Sequence, residues 1–231
     1  MKVGYNERLF GGSRLRRSYH EARFVWFRDA VAKHGMPCRS LFELGCFDGR
    51  LLDHCPTRPE RYVGVDANWE GGLDMARDRF RDAPGVILIE SRDPGDLSDL
   101  PSGGFDVAAA LETLEHLPED RVEDYLSQIA RLTDGYFLVT VPNEKGLVFF
   151  LKFLAKRLLF GGGEAYTFAE FVNATLGRMD RVRRHDHKGF DHAKLAARIE
   201  RHFDMVAVTG LPFRRLPPSL NLTVAMLARS R

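Results

Sequence analysis

The chain has 231 residues, is 44% hydrophobic and 29% charged, and carries a net charge of +2 at pH 7. That suits one large domain, or one domain with a cap, and the charge is too mild to point to nucleic acid by itself. No apolar run reaches the roughly 18 residues of a bilayer span. Cys38, Cys46 and Cys55 are an odd count with no metal-ligand spacing, so free thiols and a cytoplasmic location are expected. The first twelve residues hold no apolar h-region, so no signal peptide is expected.

Residues 1–35 precede the first strand. Phe24, Phe27 and Val31 recur at helical spacing and predict a helix over Glu21–Lys33. A basic, glycine-containing stretch, GGSRLRR (11–17), comes before it. The segment reads as a solvated cap helix, or as a lid with Tyr19 or Arg23 reaching inward.

LFELGCFDGR (41–50) runs from an apolar strand, Leu41-Phe42, through Glu43 into a glycine-punctuated turn and the opening of a helix. Backbone N–H groups at such a helix start can face a ligand. A carboxylate directly before the turn argues against phosphate and suits a hydroxyl or an ammonium group.

Downstream the pattern alternates. RYVGVDA (61–67), VILIE (86–90), FDVAAALE (105–112) and GYFLVTVP (135–142) read as strands. Helices are expected over 69–80 and over 119–132, the latter with Val122, Tyr125, Leu126, Ile129 and Leu132 on one face. Strands alternating with helices imply a parallel sheet covered on both faces. Residues 143–188 contain no strand pattern. GLVFFLKFLAKRLLF (146–160) is a helix with a wide apolar arc and Lys152, Lys156 and Arg157 on the other side, stopped by GGG (161–163). Thr167 to Glu170 has the spacing of a capping box, and Gly177 closes the short helix it opens. A basic loop (178–189) follows, Asp191 caps a last helix to Phe203, and 203–210 and 220–227 are closing strands.

In open α/β sheets ligands sit beyond the C-terminal strand ends, at the switch point. Glu43, Asp66, Asp93 and Glu112 fall at such ends. Asp66 comes about 20 residues after the glycine loop, the spacing that puts an acid on a ribose diol. A dinucleotide would want G-x-G-x-x-G, whereas Gly45 and Gly49 enclose Cys46, Phe47 and Asp48. Glu43 before the glycines favours S-adenosylmethionine, which is zwitterionic at its amino-acid end and has no phosphate.

ELGCFDG (43–49), GVDAN (64–68) and FDVAAALETLEHLPE (105–119), in this order, resemble the class I S-adenosylmethionine-dependent methyltransferases over residues 40 to 142. The resemblance implies an α/β, Rossmann-like, seven-stranded and mostly parallel sheet. Its last strand would be antiparallel, with helices on both faces, a helical N-terminal cap (1–35) and a helical insertion after strand 5. Residues 36–142 would be the cofactor-binding core, 143–188 the acceptor or lid insertion, and 189–231 the closing helix and strands of a single domain. Glu43 and the loop Gly45, Cys46, Phe47 and Gly49 would hold the methionine moiety, with Arg23 reaching in from the N-terminal segment. Asp66, with Ala67 and Asn68 beside it, would hold the ribose hydroxyls. Asp93 would lie near the adenine amino group, and Leu111 would line the adenosyl pocket. Phe47 stands where the family has its middle glycine, so its side chain must turn away from the ligand or the loop must shift.

ETLEH (112–116) supplies two carboxylates and an imidazole just beyond a strand end. On a first helical turn Glu112 and Glu115 would point the same way, with His116 one step round. These are sound ligands for Mg²⁺, Mn²⁺ or Zn²⁺. RRHDHKGFDH (183–192) resembles the histidine segment of small-RNA 2′-O-methyltransferases, in which a distant histidine joins ExxEH on Mg²⁺. Ubiquinone-biosynthesis O-methyltransferases share ExxEH and an amphipathic insertion after the fifth strand. The resemblance makes His187 the distant ligand, with His185 or His192 as substitutes. The expected reaction is O-methylation of a small-molecule, glycan or lipid-linked acceptor, with a bound ion lowering the hydroxyl pKa. His116 or His187, where not a ligand, would accept the proton.

Helix 146–160 is too short to span a bilayer, and its apolar face beside cations suits a membrane interface. A lid or a homodimer helix is the alternative. Arg178, Arg181, Arg183, Arg184 and Lys188 make RNA the rival acceptor, less favoured because the overall charge is mild. A cofactor-binding subunit without catalysis is the non-enzymatic alternative.

Overall fold

The computed structural model describes residues 14–160, 165–185 and 187–231, with α1 at Arg14–Lys33, β1 at Ser40–Leu44, β2 at Arg61–Asp66 and α2 at Gly72–Arg79. Next come β3 at Val86–Glu90, β4 at Phe105–Leu111, α3 at Val122–Leu132 and β5 at Thr133–Pro142. The insertion holds α4 at Gly146–Phe160 and α5 at Phe168–Thr175, and the chain closes with α6 at His192–His202, β6 at Phe203–Leu211 and β7 at Thr223–Ser230. Residues 11–13 of the basic stretch and the GGG stop at 161–163 lie outside the described residues.

All seven strands form one sheet in the order β3-β2-β1-β4-β5-β7-β6. β1, β2, β3, β4 and β5 pair in parallel, and β7 runs antiparallel to both β5 and β6. The order reverses between β1 and β4, which sets the crevice for a ligand beyond their carboxyl ends.

Both faces of the sheet are apolar because the strands alternate two buried sets. Phe42, Val63, Val65, Ala108, Ala110, Phe137 and Val139 meet Leu126 and Ile129 of α3 and Leu195 and Ile199 of α6. Leu41, Tyr62, Val107, Ala109 and Leu138 meet Phe24, Trp26, Phe27 and Val31 of α1 and Leu73 and Ala76 of α2. Burial on two faces is what the near-continuous apolar strands require.

The N-terminal helix differs from the solvated cap that its polar composition suggests. It begins seven residues earlier than the Phe24/Phe27/Val31 pattern predicts, and Phe27 is fully buried with Phe24, Trp26, Ala30 and Val31 nearly so. Its far side carries Arg28 and Lys33, which dilute the pattern.

The predicted helix after the glycine loop is instead a 3-10 turn, Arg50–His54. Cys55 after it is extended, and Pro56 disfavours an α conformation at the residue it follows. The capping box forms as predicted: Thr167 accepts from the Glu170 N–H and Glu170 accepts from the Thr167 N–H. Asp191 caps α6 through the Ala193 N–H. α4, α5 and the loop after them build a small core of their own, with Phe149, Phe153, Tyr166, Phe171, Ala174 and Met179 packed together. No helix among the described residues is long and apolar enough to cross a membrane.

Candidate active site

The loop after β1 satisfies most of its own backbone. Gly45 and Cys46 both donate to the Val65 carbonyl, Phe47 donates to Asp66 Oδ2, and Gly49 donates to the Cys46 carbonyl. These N–H groups are therefore turned into the fold and do not form an open anion cradle, which agrees with the reading against phosphate. Gly45 has φ +77°, and a Cβ there would come within 2.2 Å of Thr113 Oγ1. The glycine is required for the loop to lie against the ETLEH segment.

Phe47 adopts φ +46°, the left-handed conformation that a glycine takes without strain. Its ring turns onto Gly72 at the start of α2, where an added Cβ would meet the ring at 2.2 Å. Of the two outcomes open to Phe47, the side chain turns aside.

Glu43 is 3% exposed and accepts a 2.5 Å hydrogen bond from the Tyr62 hydroxyl. Burial pushes its carboxyl up to about 8, against the pull of the Tyr62 hydrogen bond and of Arg23. Asp66 accepts from the Phe47 and Asn68 N–H groups, at 3.0 and 2.7 Å, so it ties the first loop to the end of β2. An ionised carboxylate has about four acceptor positions, which leaves room for ribose hydroxyls. Asn68, at φ +54°, accepts from the Leu73 N–H and so fixes the start of α2, while the Ala67 carbonyl accepts from Arg92. Asp93 stands beyond β3, its carboxylate engaged by the Gly95 N–H and by Arg121. Leu111 ends β4 and is buried.

The ETLEH segment does not form the helical turn predicted for it. Glu112 is in a left-handed conformation, φ +57°, and Leu114–His116 is a 3-10 turn. The two glutamates therefore part. Glu112 lines a small pocket with Tyr19, His20, Arg23 and Thr223, and its Oε1 is buried without a hydrogen-bond partner. Burial raises its carboxyl, with Arg23 and Lys152 pulling the other way. A non-glycine residue held at positive φ is strain of the kind that collects at functional sites.

Glu115 goes into the fold. It is 1% exposed, and neither carboxylate oxygen has a hydrogen-bond partner. Burial, then the Glu112 charge, holds its carboxyl well above the usual range. Glu115, His116 and His187 each offer a ligand atom within 4.8 Å of the other two, and the imidazoles meet edge to face at 4.5 Å. Glu112 is not in this group, and His185 and His192 are not either. His192 is a half-buried neutral imidazole at the start of α6, its pKa pushed down to about 4 by burial and Lys145.

Three residues that hold the site together carry no motif. Arg184 donates to the Glu115 carbonyl at 2.5 Å and stacks on Phe190, which fastens the insertion's last loop to the ETLEH turn. Lys188 bonds Glu170 and the Ala165 carbonyl, anchoring the next part of that loop to α5. Tyr19 reaches from α1 across the strand ends to the Thr223 hydroxyl at 3.2 Å, which fastens the first turns of α1 to β7. Arg23 lies one turn further on, with its Nε buried and without a hydrogen-bond partner. Its charge acts on Glu43, Glu112 and Glu115 alike.

Residues 41–134 match the protein family described as "Methyltransferase domain", a span that runs from β1 to the start of β5 and includes both loops. A comparison with curated protein sequences gives no match. Among solved structures, the chain is similar to an S-adenosylmethionine-dependent methyltransferase from Clostridium acetobutylicum, at 10% identity over 98% of this chain and 96% of that one, TM-score 0.66. It is also similar to magnesium protoporphyrin IX methyltransferase from Synechocystis with bound SAH, at 15% identity over 97% and 92%, TM-score 0.62. N-methyltransferase NodS from Bradyrhizobium japonicum with S-adenosylhomocysteine is a third, at 11% identity over 97% and 95%, TM-score 0.59. Residues 41–134 thus carry a methyltransferase domain, and the fold along the whole chain is the one these solved methyltransferases share.

Proposed function

We propose that this methyltransferase transfers the methyl group to a hydroxyl oxygen of its acceptor, assisted by a divalent ion at Glu115, His116 and His187. The observation that carries the reading is Glu115: a carboxylate 1% exposed, with both oxygens unpartnered, beside two imidazoles. Leaving such a group buried without a hydrogen-bond partner is costly. With Glu112 outside the group, the donor set is two nitrogens and one carboxylate. That set fits Mn²⁺ or Zn²⁺ better than Mg²⁺, which prefers oxygen ligands. When bound, such an ion polarises an acceptor hydroxyl and lowers its pKa.

The chain's own residues carry the rest. Asp66 takes the ribose hydroxyls, Arg23 the methionine carboxylate, and Glu43 the ammonium group. The acceptor oxygen attacks the methyl carbon in line; the C–S bond breaks and its electron pair stays on sulfur, giving S-adenosylhomocysteine. The hydroxyl proton, made more acidic by the ion, is lost to solvent water. Orientation of the two reactants supplies much of the acceleration. The acceptor is a small-molecule, glycan or lipid-linked hydroxyl, met by the insertion 143–188.

Mn²⁺ titration, followed by electron paramagnetic resonance, tests the site without turnover. Wild type is expected to bind one Mn²⁺, with Glu115→Gln weakening it at least tenfold and leaving S-adenosylhomocysteine affinity within about twofold. A wild type that binds neither Mn²⁺ nor Zn²⁺ would sink the metal role, and so would unchanged Mn²⁺ affinity in Glu115→Gln.

A further inference from the structure

α4 carries a ridge of leucines that its own packing does not use. Leu147, Leu151, Leu154 and Leu158 are 55%, 54%, 42% and 74% exposed. At 3.6 residues per turn these four fall within about 60° of arc, so they form one continuous line. The other side of the helix is already satisfied, because Val148 and Phe149 are buried and Phe149 and Phe153 pack on Tyr166 and Phe171. Two further exposed apolar residues lie on elements that pack against α4. Leu220, 45% exposed, sits in the turn Pro218–Leu220 that packs against α4, and Phe168, 84% exposed, opens α5 beside it.

The charges of this helix have one sign, with Arg157 beside the ridge and Lys152 and Lys156 on the side away from it. Residues 146–160 contain Lys152, Lys156 and Arg157 and no acid, and residues 205–231 contain none either. Lys152 is held by Glu144, whereas Lys156, Arg157 and Arg215 are exposed. An exposed apolar line on a helix whose own charges are all cationic, with Arg157 beside the line, matches an anionic lipid surface. A second copy of the chain fits worse. It would set cations against cations with no acid on either helix. A single ridge about 17 Å long also falls short of the roughly 800 Å² per partner of a stable interface.

We infer that α4 is a peripheral anchor, lying in the headgroup region of an anionic bilayer with its leucine ridge inserted. α4 starts four residues after β5 ends, and Lys152 ties it to the Asn143 carbonyl and Glu144. Docking there brings the carboxyl ends of the strands, and the methyl group, to the lipid surface. The inference concerns the surface alone and stands whether or not Glu115 and the two imidazoles take a metal.

Co-sedimentation of the full chain with vesicles tests it, using phosphatidylcholine alone and with about 30% phosphatidylglycerol. Wild type is expected to pellet with the anionic vesicles and to be released by added salt. Leu151→Glu with Leu158→Glu abolishes the binding. Lys156→Glu with Arg157→Glu weakens it at least tenfold, since each cation near the surface is worth about fivefold. S-adenosylhomocysteine affinity stays unchanged in both variants, because these side chains are exposed and remote from the cofactor loop. Wild type that stays in the supernatant with anionic vesicles overturns the inference. So does binding that survives the leucine substitutions. A dimer in sedimentation equilibrium that those substitutions dissolve, without vesicle binding, assigns the ridge to a second copy instead.

Discussion

At the scale of single residues, the site is built from carboxylates held where carboxylates are costly. Glu43 shows the consequence most clearly. Its folded pKa, about 8, lies above the usual carboxylate value, so between about pH 4.5 and 8 the folded chain holds a proton that the unfolded chain has released. Stability therefore falls as pH rises through that window and is flat above it for this group. His192 has the opposite sign: with its folded pKa near 4 and an unfolded value near 6.5, it adds stability as pH rises from 4 to 6.5. His192 offsets the Glu43 slope below pH 6.5, and above that the Glu43 slope runs in the same direction as those of the raised Glu112 and Glu115 carboxyls. Glu43→Gln keeps an acceptor for the Tyr62 hydroxyl and removes the ionisation. Thermal melts should show a smaller loss of Tm between pH 6.5 and 8 than in wild type. Calorimetry above pH 8, where Glu43 is ionised, should show S-adenosylhomocysteine binding weakened about tenfold or more, the cost of a charged hydrogen bond. A variant that keeps the full pH slope would mean that Glu43 titrates in its ordinary range.

At the scale of elements, the insertion is a positioning device as well as a surface. Residues 165–190 are fastened at two points. Lys188 ties them to α5 through Glu170, whose carboxyl is drawn down to about 2 by the Lys188 ammonium. Arg184 ties them to the Glu115 carbonyl. The second tie sets His187 against His116, so Arg184 should act on metal affinity without touching a metal. Arg184→Met keeps much of the packing on Phe190 and removes the donor. Mn²⁺ affinity should fall about tenfold, the usual effect of losing an outer partner of a ligand set. S-adenosylhomocysteine binding should not move, because the cofactor loop hangs from β1 and β2. Equal loss of both ligands would instead mark a general collapse of the insertion.

At the scale of the whole molecule, α1 is half of the core on one face of the sheet. Phe27 is fully buried against the strands, and Arg214 from the 212–222 loop pairs with Asp29 on the helix's outer side. Phe27→Ala should cost about 3–5 kcal/mol, the range for a buried phenylalanine. Urea unfolding should show it as a lower midpoint with an unchanged slope. A cost below about 1 kcal/mol would mean that the helix is an appendage. The same helix carries Tyr19 and Arg23 to the strand ends, so loss of its packing should weaken cofactor binding as well.

The strand pattern, the sheet class and the turn that follows β1 were legible in the chain because they depend on local order. Apolar runs of strand length, Gly45 and Gly49 at a turn, and Asp66 at a strand end each express their role within a few residues. The capping box at Thr167 and the Asp191 cap are local in the same way. The burial of α1 was not legible, because a long helix that packs one side on a broad sheet keeps enough charge elsewhere to look solvated. Nor was the division of ETLEH, since three neighbouring ligands on a helix and the same three on a strained turn share one sequence. Only tertiary packing, with Thr113 against Gly45 and Arg184 on the Glu115 carbonyl, turns Glu112 toward Arg23 and sets Glu115 with His116 and His187. Periodicity marked 146–160 as amphipathic, but which of its apolar residues remain in solvent depends on what α5 and the loop after it cover.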